Sequence, residues 1–257
     1  MTWSQKRRTA YLFGFVFILG LILVGLYFLL LSKAPTCNDG VQNQNELGVD
    51  CGGICETQSI CVEDVLPLNV VWTKVSLVQA STGVYNAIAY IKNPNVFASA
   101  KDIPYSFKIY DADSVLIYKR DGVFSVMGGR NQTTAVFEAG LKMVNSIPAK
   151  VVFEIEGKIN WYKTAEETLQ VKVDKIEVLN ASTSPKIAVT IKNDLITNSP
   201  SYEAIGVAYD SDGNAVDFSS TIIDPIAPNS ENTVFFTWLR PFDREVVSSE
   251  VILKKIK

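Results

Sequence analysis

Histidine is absent from all 257 residues of the chain. That removes the commonest general base and the commonest metal ligand. Ser-His and Cys-His nucleophile pairs are excluded with it. No Ser-x-x-Lys, nucleophile elbow, paired-carboxylate motif or glycine-rich phosphate loop occurs either. Basic excess is also missing. With 24 Lys and Arg against 27 Asp and Glu, the net charge is −3. Such a surface has no electrostatic footprint for nucleic acid. Cysteine is scarce: four residues, all between Cys37 and Cys61, with no Cys-x-x-Cys pair. These gaps argue against an enzyme. What remains is plentiful apolar material, 47% hydrophobic and 11% aromatic, too much for a disordered chain.

Charge is missing altogether from Ala10 to Leu31, AYLFGFVFILGLILVGLYFLLL. As a helix this run spans roughly 33 Å, enough for a bilayer core. Lys6, Arg7 and Arg8 precede it, and only Lys33 stands close behind. The positive-inside rule puts residues 1–9 in the cytoplasm and everything after Leu31 outside it. The expectation is a signal anchor that makes this a single-pass protein of the cell membrane. A cleaved signal peptide is the alternative, with Ser32-Lys33-Ala34 as the cut. Its apolar core would be only ~7–15 residues, and Pro35 follows directly.

Residues 35–63 then hold the cysteines, spaced C-x13-C-x3-C-x5-C. Outside the cytoplasm an even set reads as disulfides. Cys37, Cys51, Cys55 and Cys61 predict two bridges, with three pairings open. So small and polar a segment needs staples, each stabilising by roughly 2–4 kcal/mol. Gly40, Gly48, Gly52 and Gly53 supply positive φ for its turns. Asp39, Asn43, Glu46 and Asp50 offer the hard oxygen ligands that calcium takes. The same side chains suffice to cap turns, and both readings stay open. An EF-hand loop does not fit, because a loop starting at Asn43 puts Leu47 fifth and Ile54 twelfth. No other cofactor is expected. Cys37, Asp39, Gly40, Asn43, Glu46, Asp50, Cys51, Gly52, Gly53 and Cys55 resemble a module of exported bacterial proteins, C-x-D-G-x-x-N-x-x-E-x-x-x-D-C-G-G-x-C.

The rest of the chain repeats itself. Lys74–Thr82 returns as Lys175–Thr183, Ile91-Lys92-Asn93 as Ile191-Lys192-Asn193, and Tyr110–Asp113 as Tyr209–Asp212. Thr134–Phe137 aligns with Thr233–Phe236, and Val151–Phe153 with Val251–Leu253. Within each copy apolar residues alternate, as at Ile187, Val189 and Ile191, between turn words such as YDADS and YDSDGN. Period two with turns at this spacing predicts strands. The fold class is therefore all-β: two tandem antiparallel immunoglobulin-like sandwiches, 68–163 and 164–257, after one transmembrane helix and a small disulfide-rich segment. Trp161 and Tyr162 either finish the first sandwich or wedge between the two.

Phe107-Lys108-Ile109-Tyr110-Asp111 resembles the signature of the FxLYD family of prokaryotic envelope domains, related to water-stress sandwich domains, with Ile109 for the Leu. The preceding Ile91-Lys92-Asn93 strand end fits the same pattern. The second copy keeps Tyr209-Asp210 but has Gly206 and Ala208 where the first has Phe107 and Ile109. The resemblance implies immunoglobulin-like domains on an exported protein, with no catalytic residues. The expected role is structural or protein-binding at the cell envelope, through an envelope protein partner and the membrane itself at residues 10–31. Calcium-dependent adhesion, or small-molecule or lipid binding by the sandwiches, is the alternative.

Overall fold

The computed structural model describes residues 3–31, 36–61, 65–79, 83–129, 132–143, 145–164, 169–180 and 183–256. The cleavage candidate Ser32-Lys33-Ala34 and the repeat words Ala80–Thr82 and Ala181-Ser182 lie outside the described residues, as does 165–168 at the expected domain join. The chain forms two units, Met1–Cys55 and Glu56–Lys257.

The first unit begins with α1, Trp3–Leu31. It is apolar on all sides and is long and apolar enough to cross a membrane. The charge-free run 10–31 lies inside it. The basic residues Lys6, Arg7 and Arg8 fall in its first turns, where the Arg7 guanidinium lies 4.3 Å from the centre of the Trp3 ring. No Gly or Pro stands between Trp3 and Ala10 to end the helix there.

The second unit is antiparallel throughout its described strands. These are β1 (Asn69–Gln79), β2 (Val84–Asn93), β3 (Ala98–Tyr110), β4 (Leu116–Val126), β5 (Gln132–Lys142), β6 (Lys150–Ile155), β7 (Trp161–Lys163), β8 (Lys172–Leu179), β9 (Lys186–Asn193), β10 (Tyr202–Tyr209), β11 (Ala215–Ile223), β12 (Ser230–Thr237) and β13 (Ser248–Lys255). They pair as β1-β2-β5, β4-β3-β6 with β7 on β3, β8-β9-β12 and β11-β10-β13. The order within the first two sheets is repeated in the last two.

Alternation decides the layers. Ala87, Ala89 and Ile91 of β2 meet Tyr105, Phe107 and Ile109 of β3 in one core. Ile187, Val189 and Ile191 of β9 meet Tyr202, Ala204 and Ala208 of β10 in a second. The opposite faces of β2 and β10 meet in a third core, with Ile88 and Tyr90 against Ile205 and Val207. Four sheets thus stack face to face, and β2 and β10 are covered on both sides. Trp161 is buried in the first core and β7 pairs with β3, so this segment finishes the first sandwich. Glu56–Cys61, expected to belong with the cysteines, packs here too. Ile60 N–H donates to Trp161 O at 2.8 Å and Lys163 N–H to Glu56 O at 2.7 Å.

Pairing register corrects two repeat alignments. Ile91 faces Thr134, while Ile191 faces Asn232. Phe137 therefore occupies the place of Phe235, not Phe236. Likewise Ile109 faces Val151 and Ala208 faces Ser249, so Val151–Phe153 stand where Ser249–Val251 stand. A one-residue slip in a strand exchanges its faces, and residue identity alone had hidden it. The corrected register also accounts for the loss of Phe107 in the second copy. Gly206 takes its place, and a Cβ there would lie 2.8 Å from the Phe236 ring. The aromatic volume is delivered from the facing sheet instead. At the place of Phe236 the first sandwich has Glu138, whose carboxylate accepts from Tyr105 OH at 2.5 Å.

Candidate functional site

Two polar constellations stand out. The first is the cysteine module. Cys37 and Cys55 are bridged, Cys51 and Cys61 are disulfide-bonded as well, and no cysteine is free. The expected oxidised state is what the structure has. The four residues considered for calcium come together here, and the three carboxylates among them accept backbone N–H groups. Asp50 accepts from the N–H of Asp39 and Gly40, both at 2.9 Å. Asp39 accepts from Thr36 and Val41 N–H, and from the Asn43 amide at 3.0 Å. Glu46 Oε2 accepts from Asn43 and Asp50 N–H at 3.1 and 3.3 Å. Asn43 Oδ1 is buried without a partner. Glu46 Oε1 lies 3.1 Å from Cys55 Sγ, a bridged sulfur with no proton to donate. Cys37, Glu46 and Cys55 crowd within 4.8 Å. With both sulfurs in the bridge this is no thiolate metal set.

Gly40, Gly52 and Gly53 take positive φ, whereas Gly48 does not and instead bridges to Cys51. Gly53 is the most constrained, because a Cβ would fall 2.0 Å from Asn45 O.

The second constellation, which the sequence did not flag, is the seam between the sandwiches. Trp72 stacks on Tyr90 at 5.2 Å and meets Tyr209 edge-on, while Phe137 meets Phe218 edge-on at 5.9 Å. Polar clamps flank this patch. Tyr90 and Tyr209 both donate to the Glu250 carboxylate, at 2.9 and 3.1 Å. Burial, with Glu250 beside it, pushes the Tyr90 hydroxyl up to about 12. Ser76 Oγ donates to buried Asp217 at 2.6 Å, and Lys74 Nζ to Ala215 O at 2.6 Å. Arg240 reaches Leu77 O at 2.8 Å and stands 3.5 Å from Asp217. Burial raises the Asp217 carboxyl and lowers the Lys74 ammonium. Clefts of about 560 and 110 Å³ open beside these clamps.

Residue identity at matching register places explains which faces meet. Ile88, Tyr90 and Phe137 on the buried face of the first sandwich correspond to Ala188, Thr190 and Phe235 on the outer face of the second. Conversely Ile205, Val207, Phe218 and Ile252 at the seam correspond to Ser106, Lys108, Lys119 and Glu154 on the outer face of the first. Those outer positions carry ion pairs, Lys108–Glu154 at 2.5 Å and Lys119–Asp121 at 2.9 Å. At these places the first sandwich is polar on its far side, whereas the second keeps Phe235, 45% exposed, on its own.

The signature acids sit in turns. Asp111 Oδ1 accepts from Asp113 and Val115 N–H, and Asp210 Oδ1 from Asp212 and Asn214 N–H. Those bonds, led by Asn214, hold the Asp210 carboxyl below its usual range, with Arg244 adding to the effect. Asn93 and Asn193 are buried and donate across to loop carbonyls, Met127 O at 2.9 Å and Ile226 O at 2.9 Å. Ser99 and Ser199 accept the N–H of Gly128 and Ile226. The shared spacing of Ser99 and Ser199 was the signal that could have found that pair.

No protein-family model matches the sequence, and no curated protein does. Among solved structures the chain is similar to red sea bream transglutaminase, with 12% identity, a TM-score of 0.23, and coverage of 75% of this chain and 32% of that one. It is similar to a β-glucuronidase from glycoside hydrolase family 2, with 13% identity, a TM-score of 0.23, and coverage of 68% and 24%. The chain spans a third or less of either protein, and likeness at that score carries no inference about activity.

Proposed function

We propose that this chain is a single-pass membrane protein whose β-rich body stands outside the cytoplasm and serves a structural or protein-binding role, without catalysis. One observation carries the reading: ionisable groups drawn into the contact between the sandwiches are used to tie the two together. Asp217, Lys74 and Glu250 clamp one sandwich to the other rather than facing a common cleft. The disulfide-bonded cysteines support an oxidising compartment, and α1 with Arg7 and Arg8 near its start supports an anchor with its N-terminus inside. The repeated strand order, the matched Asn93/Asn193 pair and the matched Asp111/Asp210 turns favour tandem FxLYD-like domains. Ligand binding between the sheets is disfavoured by the packed rings of Tyr105, Phe107, Phe124 and Phe153, with centroids 5.0–5.9 Å apart.

The test is membrane fractionation with protease added to intact cells or spheroplasts. The full chain should stay with membranes after an alkaline wash, and external protease should remove its C-terminal body. Release by the wash, or a protected body, would overturn the reading.

A further inference from the structure

The cysteine module is built inside out. Between Thr36 and Cys55 the large aliphatic side chains are Val41, Leu47, Val49 and Ile54. All are exposed, at 59, 65, 57 and 64%. The buried positions are Glu46, Gly52 and Cys55. A segment folding for itself would place aliphatics within and carboxylates without. Here the bridge and the carboxylate caps hold the backbone, and the apolar side chains are left for something else. Four large aliphatic side chains exposed on twenty residues leave apolar area for another surface to cover.

The tether names the occupant. Five steps of chain separate Leu31 from Thr36, at most about 18 Å. The 29 residues of α1 extend about 43 Å, the thickness of a bilayer with its headgroups. A spanning α1 therefore ends at the headgroup boundary and keeps the module against it. The module has Asp39, Glu46 and Asp50 and no Lys or Arg. Attraction to anionic lipid is thus absent, and the aliphatic side chains must supply the adhesion.

We propose that Val41, Leu47, Val49 and Ile54 seat the module in the interfacial layer of the bilayer beside the exit of α1. The proposal rests on the anchor reading. The experiment uses the full chain in phosphatidylcholine vesicles, with Val41→Trp and, separately, Ile54→Trp. Fluorescence added by each new indole is compared between ordinary lipid and lipid brominated near the top of the acyl chain. We expect at least twofold quenching by the brominated lipid and little by aqueous iodide. If both indoles are quenched by iodide and not by lipid, the proposal is overturned. If both are shielded from lipid and iodide alike, protein covers the surface and the proposal again fails. Flotation of the parent chain is read first. A parent that does not float removes the anchor reading and this proposal together, whereas one that floats with unquenched indoles removes the proposal alone.

Discussion

Phe137 and Phe235 occupy the same place in their two sandwiches, opposite Ile88 and Ala188 respectively. Their surroundings differ. Phe137 packs into the seam and meets Phe218 edge-on at 5.9 Å. Phe235 is 45% exposed, under the Lys186 ammonium at 3.7 Å. Truncating Phe137 to Ala returns about 100 Å² of apolar surface to water, about 2.5 kcal/mol at the usual coefficient. The lost ring pair adds about 1 kcal/mol. Phe235→Ala forfeits a shallow contact and an exposed cation–π pair, together about 1 kcal/mol. For a body of this size about 3.5 kcal/mol lowers Tm by roughly 7–14 °C, and about 1 kcal/mol by roughly 2–4 °C. Both variants should be melted as full chains in mild detergent, following β-sheet circular dichroism. Equal shifts, or a larger one for Phe235→Ala, would refute the assignment of the seam.

Gly206→Ala should destabilise by about 1–3 kcal/mol through overpacking against Phe236, read from denaturant midpoints; a neutral result would contradict the aromatic exchange with Phe107. Gly53→Ala should block the module's turn and leave alkylatable thiols at Cys37 and Cys55, detected by mass spectrometry. Asp217 has a raised folded pKa, so its ionisation costs stability as pH rises from the ordinary carboxylate range through the raised value. Parent stability relative to Asp217→Asn should therefore grow as pH falls through that window, and growth in the opposite direction would reverse the assigned cause. Chelating calcium should leave Tm unchanged, because the Asp39, Glu46 and Asp50 carboxylates already serve backbone N–H groups; a shift of several degrees would put an ion at Asn43 Oδ1.

Alternation made the strands and their shared faces legible. Ile187, Val189 and Ile191 could only point one way together. The turn words placed Asp111 and Asp210 between strands, and cysteine number, with the compartment expected from the apolar run, predicted that all four cysteines are bridged while leaving the pairing open. Two things were not legible. Which of two faces is covered depends on a partner surface distant in sequence, so Ile205 and Val207 read as ordinary alternation until set beside Ser106 and Lys108. Repeat register was also obscured, because Thr134–Phe137 matches Thr233–Phe236 in residue type while differing in place by one. Only hydrogen-bond partners resolve such a slip.

Native-state hydrogen exchange on the full chain tests the fused stack most directly. The amides of β2 and β10, central strands covered on both sides, should exchange only through one shared opening of the same free energy. Phe137→Ala should lower both together. Exchange of β2 and β10 at separate free energies, with only one responding, would contradict the account.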